Sequence, residues 1–148
     1  MELQKDIREF IALLLSHKVE FLLVGGYALA FHGAPRFTED IDFLVRSSSE
    51  NADRIQAVLE AFGFGTVGIK RDDFLAAEQV VQLGRAPNRI DLLTSISGVS
   101  WERAWASRES IDLGGFEIPV LSRELLIENK RTSGRPQDLA DVARLDNT

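Results

Sequence analysis

The chain has 148 residues, of which 45% are hydrophobic and 27% charged, so it suits one globular domain with a buried core. It contains no cysteine, which excludes disulfides, thiolate nucleophiles and zinc–thiolate sites, and its net charge of −6 argues against a broad duplex-binding surface. Its longest uncharged apolar run, residues 21–31, is too short for a membrane helix, and no signal-peptide pattern is present, so we expect a cytoplasmic protein without membrane contact.

The first half of the chain predicts helices and buried strands in alternation. An apolar stripe at helical spacing covers residues 3–17, and an unbroken apolar run then predicts a strand that stops at two glycines. A short helix, a second strand, a serine-capped helix and a weaker strand follow. After the first helix, the predicted elements are strand Phe21–Val24, helix Tyr27–His32, strand Asp40–Val45, the helix after Ser47-Ser48-Ser49, and a strand over residues 63–68.

The second half predicts hairpins and two final helices. Glycine-containing turns separate pairs of short apolar segments, which is typical of antiparallel strands, and serine and proline provide helix start signals. The predicted elements are strands Glu78–Leu83 and Arg89–Thr94, helix Trp101–Ser107, strands Ser110–Leu113 and Phe116–Val120, and helices from Ser122 and from Pro136 to Leu145. The sequence thus predicts an α/β (α+β) fold, a mixed sheet flanked by helices. One domain over 1–148 would have its core at 19–95 and a C-terminal hairpin and helices at 108–146.

An Asp-x-Asp pair opens the second predicted strand. Side chains two apart in a strand share a face, so Asp40 and Asp42 project together while Ile41 points into the core. Two adjacent carboxylates repel each other unless a cation lies between them, and Mg²⁺ prefers such hard oxygen ligands. An isolated Asp-x-Asp is more often two solvated acids at a strand edge, so the pair needs support from its surroundings.

A Gly-Gly pair at a strand-to-helix turn provides that support. Gly25 and Gly26 would let the backbone approach a phosphate closely, with amide groups at the helix start facing the anion. A tight turn that only needs positive φ is the alternative. Phosphate-binding backbone and a divalent-metal site within one short unit together indicate a nucleotidyl-transfer site.

Three further side chains are candidates for this site. Arg36 could neutralise triphosphate charge, or it could be a surface residue or a partner of Glu39. The Thr38 hydroxyl could bind a phosphate or position Asp40, or it could simply form a turn. Asp91 is a lone charge within an apolar strand, where it could be an outward-facing acid on a half-exposed strand. If that strand runs beside Asp40–Val45, three carboxylates would converge.

Other polar and aromatic residues have structural interpretations. His32 suits a helix cap, and Trp101 and Trp105 are helix neighbours that suit a core or an interface. Lys130 and Arg135 form a basic segment that could be merely solvated. They are nevertheless the basic residues best placed along the chain to meet a triphosphate or an RNA end.

These motifs, in this order, resemble the nucleotidyltransferase superfamily with the DNA polymerase β-like palm. The resemblance is closest to its minimal bacterial branch, which includes abortive-infection-type nucleotidyltransferase toxins and antitoxin-like members. It rests on Val24-Gly25-Gly26, His32-Gly33, Arg36-x-Thr38-x-Asp40-x-Asp42, the apolar Phe43-Leu44-Val45, Asp91, and a C-terminal feature with Lys130, Arg135 and Asp138.

The resemblance implies a magnesium-dependent transfer of an NMP from an NTP to an acceptor hydroxyl. It implies that Asp40, Asp42 and Asp91 are catalytic and hold two Mg²⁺ ions roughly 3.5–4 Å apart. Asp91 could also act as a general base. Gly25 and Gly26 would cradle the β- and γ-phosphates, with Arg36, Thr38 and Lys130 also on the nucleotide.

The acceptor and the partners stay open at this stage. A tRNA end, a protein side chain or a small molecule could accept the nucleotide. Larger members carry a separate helical domain, whereas the residues after Asp91 suffice for a hairpin and two helices. A homodimer or a toxin–antitoxin partner could then complete the acceptor site. The alternatives are a non-catalytic nucleotide-binding or antitoxin-like protein, in which Asp91 would not face the other two acids, and a metal-dependent phosphohydrolase.

Overall fold

A mixed β-sheet forms the centre of the fold. The computed structural model describes residues 4–63, 68–84 and 88–147. Within these ranges the sheet has six strands in the order β3-β4-β2-β1-β6-β5. Strands β2 and β4 run parallel, as do β1 and β6, while the other neighbours are antiparallel. The strands are β1 (Phe21–Val24), β2 (Asp40–Val45), β3 (Val80–Leu83), β4 (Arg89–Leu93), β5 (Glu109–Leu113) and β6 (Phe116–Val120).

Helices connect and flank the strands, as the sequence predicts. Serine hydroxyls accept hydrogen bonds at the starts of three of them, at Ser48, Ser100 and Ser122. The helices are α1 (Lys5–Ser16), α2 (Gly25–Phe31), α3 (Ser49–Phe62), α4 (Trp101–Ala106), α5 (Arg123–Ser133) and α6 (Pro136–Asp146), with a 3₁₀ turn at Arg71–Phe74. The predicted mixed sheet flanked by helices is confirmed.

The alternation of side chains along β2 separates the core from the polar face. Ile41 and Phe43 are fully buried on one face, where the Phe43 ring lies 6.3 Å from the Phe10 ring of α1 and 5.5 Å from the Phe21 ring. Asp40 and Asp42 are half-buried on the opposite face. Packing on the Phe43 face therefore fixes the register that presents both acids together.

Several element limits differ from the predicted ones. Helix α2 begins at Gly25, two residues before the predicted start, so the glycines belong to its first turn. Strand β3 begins at Val80 because Glu78 adopts a left-handed backbone, with φ of 58°, and donates its N–H to the Ser95 hydroxyl. The strand predicted over 63–68 falls largely on residues outside the described ranges, as does part of the turn predicted over 84–88.

Candidate active site

Three carboxylates meet where β2 and β4 lie side by side. The parallel register places Asp42 opposite Asp91 and Asp40 opposite Arg89. Ligand atoms of Asp40, Asp42 and Asp91 all lie within 4.8 Å of one another. Asp91 is only 5% exposed, so it is not an outward-facing acid on a half-exposed strand. The arrangement meets the condition under which the sequence predicts a convergent site.

Hydrogen bonds fix two of these acids in place. The Thr38 hydroxyl donates to Asp40 Oδ1 at 2.8 Å. Arg89 donates from Nε to Asp91 Oδ1 at 2.9 Å, and from Nη2 to Asp91 Oδ2 and Asp40 Oδ2, both at 3.1 Å. Arg89 was not among the predicted site residues. The sequence could have indicated this residue, because Arg89 stands two positions before Asp91 and so shares a strand face with it.

Burial, hydrogen bonds and neighbouring charges shift the pKa values of the three acids in different directions. Burial, together with the charges of Asp40 and Asp91, raises the pKa of Asp42 to about 8. Burial also raises the pKa of Asp91, against the opposing effect of Arg89. For Asp40, burial is outweighed by hydrogen bonding, above all from Thr38, and the pKa is lowered. Deprotonating Asp42 is thus costly until a cation offsets the charge.

The glycine pair makes room for these side chains. Gly25 has a φ of 70°, and a Cβ atom built on it would lie 2.1 Å from Asp42 Oδ2. A Cβ atom on Gly26 would lie 3.1 Å from the Thr38 Cβ atom. Any larger residue at position 25 would therefore displace the Asp42 carboxylate. These close contacts explain why glycine stands at both positions, in addition to the predicted role of the pair in phosphate binding.

The carboxylates line a cleft of about 650 Å³. Its walls bring together residues from the start of α2, the segment before β2, strands β2 to β4, and helices α5 and α6. Every predicted site residue borders it: Gly25, Gly26, Arg36, Thr38, Asp40, Asp42, Asp91 and Lys130. Arg135 and Asp138 border it as well.

A family model described as "Nucleotidyl transferase AbiEii toxin, Type IV TA system" matches residues 12–147. The chain belongs to this AbiEii family. The match spans both the acidic cluster and the C-terminal helices that close the cleft. None of the curated proteins shows a significant sequence match.

Solved structures of nucleotidyltransferases share the fold of this AbiEii-family chain. A candidate nucleotidyltransferase from Thermotoga maritima aligns with a TM-score of 0.63 at 18% identity, over 95% of this chain and 90% of its own. The lincosamide antibiotic adenylyltransferase LnuA, with lincomycin bound, gives 0.55 at 14% identity, over 98% and 97%. ANT(2'')-Ia in complex with adenylyl-2''-tobramycin gives 0.58 at 14%, over 95% and 86%.

A buried ion network joins the C-terminal helices of the AbiEii-family chain to the segment before β2. Lys130, on α5, is 6% exposed, and its Nζ lies 3.0 Å from Asp141 Oδ2 and 3.6 Å from Asp138 Oδ1. Arg36 Nε lies 3.3 Å from Asp141 Oδ1, so Arg36 pairs with Asp141 rather than with Glu39. Arg135 donates to both oxygens of Asp138, at 2.7 and 3.2 Å. Lys130 is therefore not a solvated surface residue.

Asp141 was not singled out by the sequence analysis. It stands three residues after Asp138 and next to the buried Val142, so its helical face was recognisable as partly buried. Its partners come from two distant segments, which a helical pattern alone does not reveal.

The remaining sequence candidates have structural roles. His32 follows the last residue of α2, and its Nε2 lies 2.8 Å from the Leu121 carbonyl oxygen. The Trp101 and Trp105 rings stack on α4 with centroids 5.2 Å apart, and the Arg108 guanidinium covers the Trp105 ring. None of the described helices has both the length and the apolar character required to cross a bilayer.

Proposed function

We propose that the chain is a magnesium-dependent nucleotidyltransferase, which moves an NMP from an NTP to an acceptor hydroxyl and releases pyrophosphate. The observation that carries this proposal is the convergence of Asp40, Asp42 and Asp91, with ligand atoms within 4.8 Å, on the wall of a cleft large enough for a nucleotide. Membership of a nucleotidyltransferase family supports the same reaction class.

The acidic cluster fits the metal that this reaction class uses. All three groups offer hard carboxylate oxygens, and the raised pKa of Asp42 reflects burial together with neighbouring negative charge, which a cation would offset. Bound Mg²⁺, proposed as two ions, would stabilise charge on the phosphates and lower the pKa of the attacking hydroxyl. Asp40, Asp42 and Asp91 would hold it.

The chain's own residues position the substrate in this proposal. Thr38 orients Asp40 through its 2.8 Å hydrogen bond. Arg36, Lys130 and Arg135 border the cleft as cations that can meet the triphosphate. Most of the rate enhancement would come from positioning and charge stabilisation.

Proton transfer is assigned to Asp91 of the acidic cluster, and the approach of the phosphates to the glycines beside it. Asp91 has a raised pKa, which suits a carboxylate that accepts the acceptor's proton. Gly25 and Gly26 border the cleft at the start of α2, where their amide groups would cradle the phosphates.

The carboxylate geometry favours an enzyme over a non-catalytic, antitoxin-like protein. That alternative requires Asp91 to face away from the other two acids, whereas its carboxylate is buried against them. The family description names a type IV toxin–antitoxin system, which supports action together with a partner protein. The acceptor is proposed only as a hydroxyl on tRNA, protein or a small molecule, and a homodimer could contribute to its site.

A labelling experiment tests the proposal. The intact protein and the Asp40→Ala/Asp42→Ala variant would be incubated with Mg²⁺, α-phosphate-labelled NTPs and cell extract as the source of acceptors. A Glu9→Ala/Glu60→Ala variant is the matched control, because it removes the same charge from exposed positions on α1 and α3. We expect label on an acceptor with the intact protein and the control, but not with the site variant.

The other outcomes separate the alternatives. Phosphate release without a labelled acceptor would indicate a phosphohydrolase. If no label moves, NTP binding should be measured by calorimetry with and without Mg²⁺. Metal-dependent binding would support a site that awaits its partner, whereas no binding at all would overturn the proposed function.

A further inference from the structure

Four charged side chains form a square on one face of the β2–β4 pair. Asp40 lies opposite Arg89 and Asp42 opposite Asp91, and residues two apart along each strand share a face. The square thus holds three acids and one base. The proposed reaction assigns a role to each acid but none to Arg89.

Arg89 occupies the oxygens that a metal ion would need. It donates to both oxygens of Asp91, at 2.9 and 3.1 Å, and to Asp40 Oδ2 at 3.1 Å. Thr38 donates to the remaining oxygen of Asp40. All four oxygens of Asp40 and Asp91 therefore accept a hydrogen bond. A divalent cation that binds Asp91 must either share an oxygen with the guanidinium or displace it.

The two cations compete by charge as well as by space. A guanidinium stays protonated under all ordinary conditions, so it cannot yield by losing its proton. It must instead move away from an arriving divalent ion, because like charges at contact distance repel. The Arg89 side chain is 35% exposed, which leaves it a path towards solvent.

We propose that Arg89 is an internal counter-cation, which holds Asp40 and Asp91 together in the metal-free protein and gives them up when a divalent ion binds. This inference rests on the metal site of the proposed function. Arg89 keeps the carboxylates in position for the ion. It also weakens the binding of that ion, because the two cations compete for the same oxygens. Removing its charge therefore has two separable effects. The metal-free fold becomes less stable, and the divalent ion binds more tightly.

Calorimetric titration with Mn²⁺ alone, without nucleotide, tests this inference on the full chain. The proteins are the intact chain, Arg89→Gln, Arg89→Lys and the matched control Arg54→Gln. Arg54 is comparably exposed, at 38%, and pairs with a single carboxylate, Glu50, at 3.2 Å. We expect Arg89→Gln to bind Mn²⁺ about tenfold more tightly and to melt at a lower temperature without metal, because one competing charge is gone. Arg54→Gln should bind like the intact chain.

Arg89→Lys serves as the second variant should Arg89→Gln fail to fold. Its single ammonium group keeps the charge but cannot make the forked contacts to both acids, so it should bind Mn²⁺ severalfold more tightly than the intact chain. In the intact chain, Mg²⁺ should also shift the side-chain Nε–H NMR signal of Arg89.

Two results would contradict this inference, and they differ in whether the proposed metal site is also overturned. If the Arg89 variants bind Mn²⁺ with the same or lower affinity than the intact chain, the counter-cation role is wrong and the metal site stands. If none of the four proteins binds Mn²⁺, both this inference and the magnesium dependence of the proposed function are overturned.

Discussion

Gly25 shows how a single residue can decide whether the acidic cluster forms. Its positive φ starts α2 directly from β1, and its missing side chain leaves the space that the Asp42 carboxylate fills. The Gly-Gly pair and the Asp-x-Asp pair are thus one steric unit, although Asp40 stands 14 positions after Gly26 in the chain. The close approach, and not only the turn, requires glycine at position 25.

A substitution at Gly25 should therefore cost both stability and activity. Alanine at a left-handed position costs about 1–2 kcal/mol, and its Cβ would displace Asp42 from the cluster. We expect Gly25→Ala to transfer nucleotides about 100-fold more slowly, since misplacement by about 1 Å has that scale of effect. Gly63→Ala is the control, because Gly63 also has a positive φ but a Cβ there meets nothing within 4 Å. Equal transfer rates for the two variants would refute the steric role.

The raised pKa of Asp42 makes the stability of the metal-free protein depend on pH. An unfolded aspartate has a pKa of about 3.9, whereas burial and neighbouring acids raise that of Asp42 to about 8. Between these values the folded state binds the additional proton, so stability falls as pH rises and levels off above pH 8. The raised pKa of Asp91 also makes stability fall as pH rises. The lowered pKa of Asp40 affects stability only at pH values below the ordinary pKa of an aspartate.

Urea denaturation in EDTA at pH 6 and pH 8.5 measures this effect. We expect a loss on the order of 2 kcal/mol in the intact chain and a much smaller loss in Asp42→Asn, which cannot ionise. An unchanged pH slope in Asp42→Asn would assign the effect to other groups.

At the scale of elements, the C-terminal helices are joined to the site by buried ion pairs. Asp141 on α6 contacts Lys130 on α5 and Arg36 in the segment before β2, and it is only 2% exposed. Because Arg36 and Lys130 both border the cleft, Asp141 positions two of the cations proposed to meet the triphosphate.

Removing the Asp141 charge should destabilise the packing of these elements. Asp141→Asn would leave Lys130 buried with only Asp138, at 3.6 Å, as an ionic partner among the described residues. Breaking a buried pair typically costs about 3–5 kcal/mol, so we expect the free energy of unfolding to fall by about 3 kcal/mol. Glu128→Gln is the control, since its pair with Arg103 is exposed and should contribute little. A loss no larger than that of the control would show that the network is not structural.

The elements themselves were largely predictable from the sequence, whereas their contacts were not. Apolar periodicity and start signals locate the helices and strands to within a few residues, and the period of two places Asp40 and Asp42 on one face. The contact of Arg89 with Asp91 follows from their spacing on one strand, whereas the contacts of Arg89 with Asp40 and of Asp141 with Lys130 depend on strand order and helix docking. Those are set by packing between segments far apart in the chain, so no local pattern reveals them. The 3₁₀ turn that buries Phe74 was missed for the same reason.

At the scale of the whole molecule, the acidic site lies within the sheet rather than in a peripheral loop. Strand β2 lies between β4 and β1, and it carries Asp40 and Asp42, while β4 carries Asp91. A cation held by all three acids can stay bound only while β2 and β4 remain paired. Binding of the proposed metal would therefore be coupled to unfolding of the sheet at β2 and β4 rather than to the opening of a peripheral loop.

Magnesium should accordingly raise the melting temperature of the entire chain. A ligand at 100 times its Kd stabilises a folded state by about 2.7 kcal/mol. For a chain of this size, that corresponds to a rise of roughly 5–10 °C. Thermal unfolding followed by circular dichroism, with EDTA or with saturating Mg²⁺, measures the shift. Asp40→Asn/Asp42→Asn should lose it, and Glu9→Ala/Glu60→Ala should keep it. A shift of equal size in both variants would place the stabilising ions elsewhere on this acidic protein.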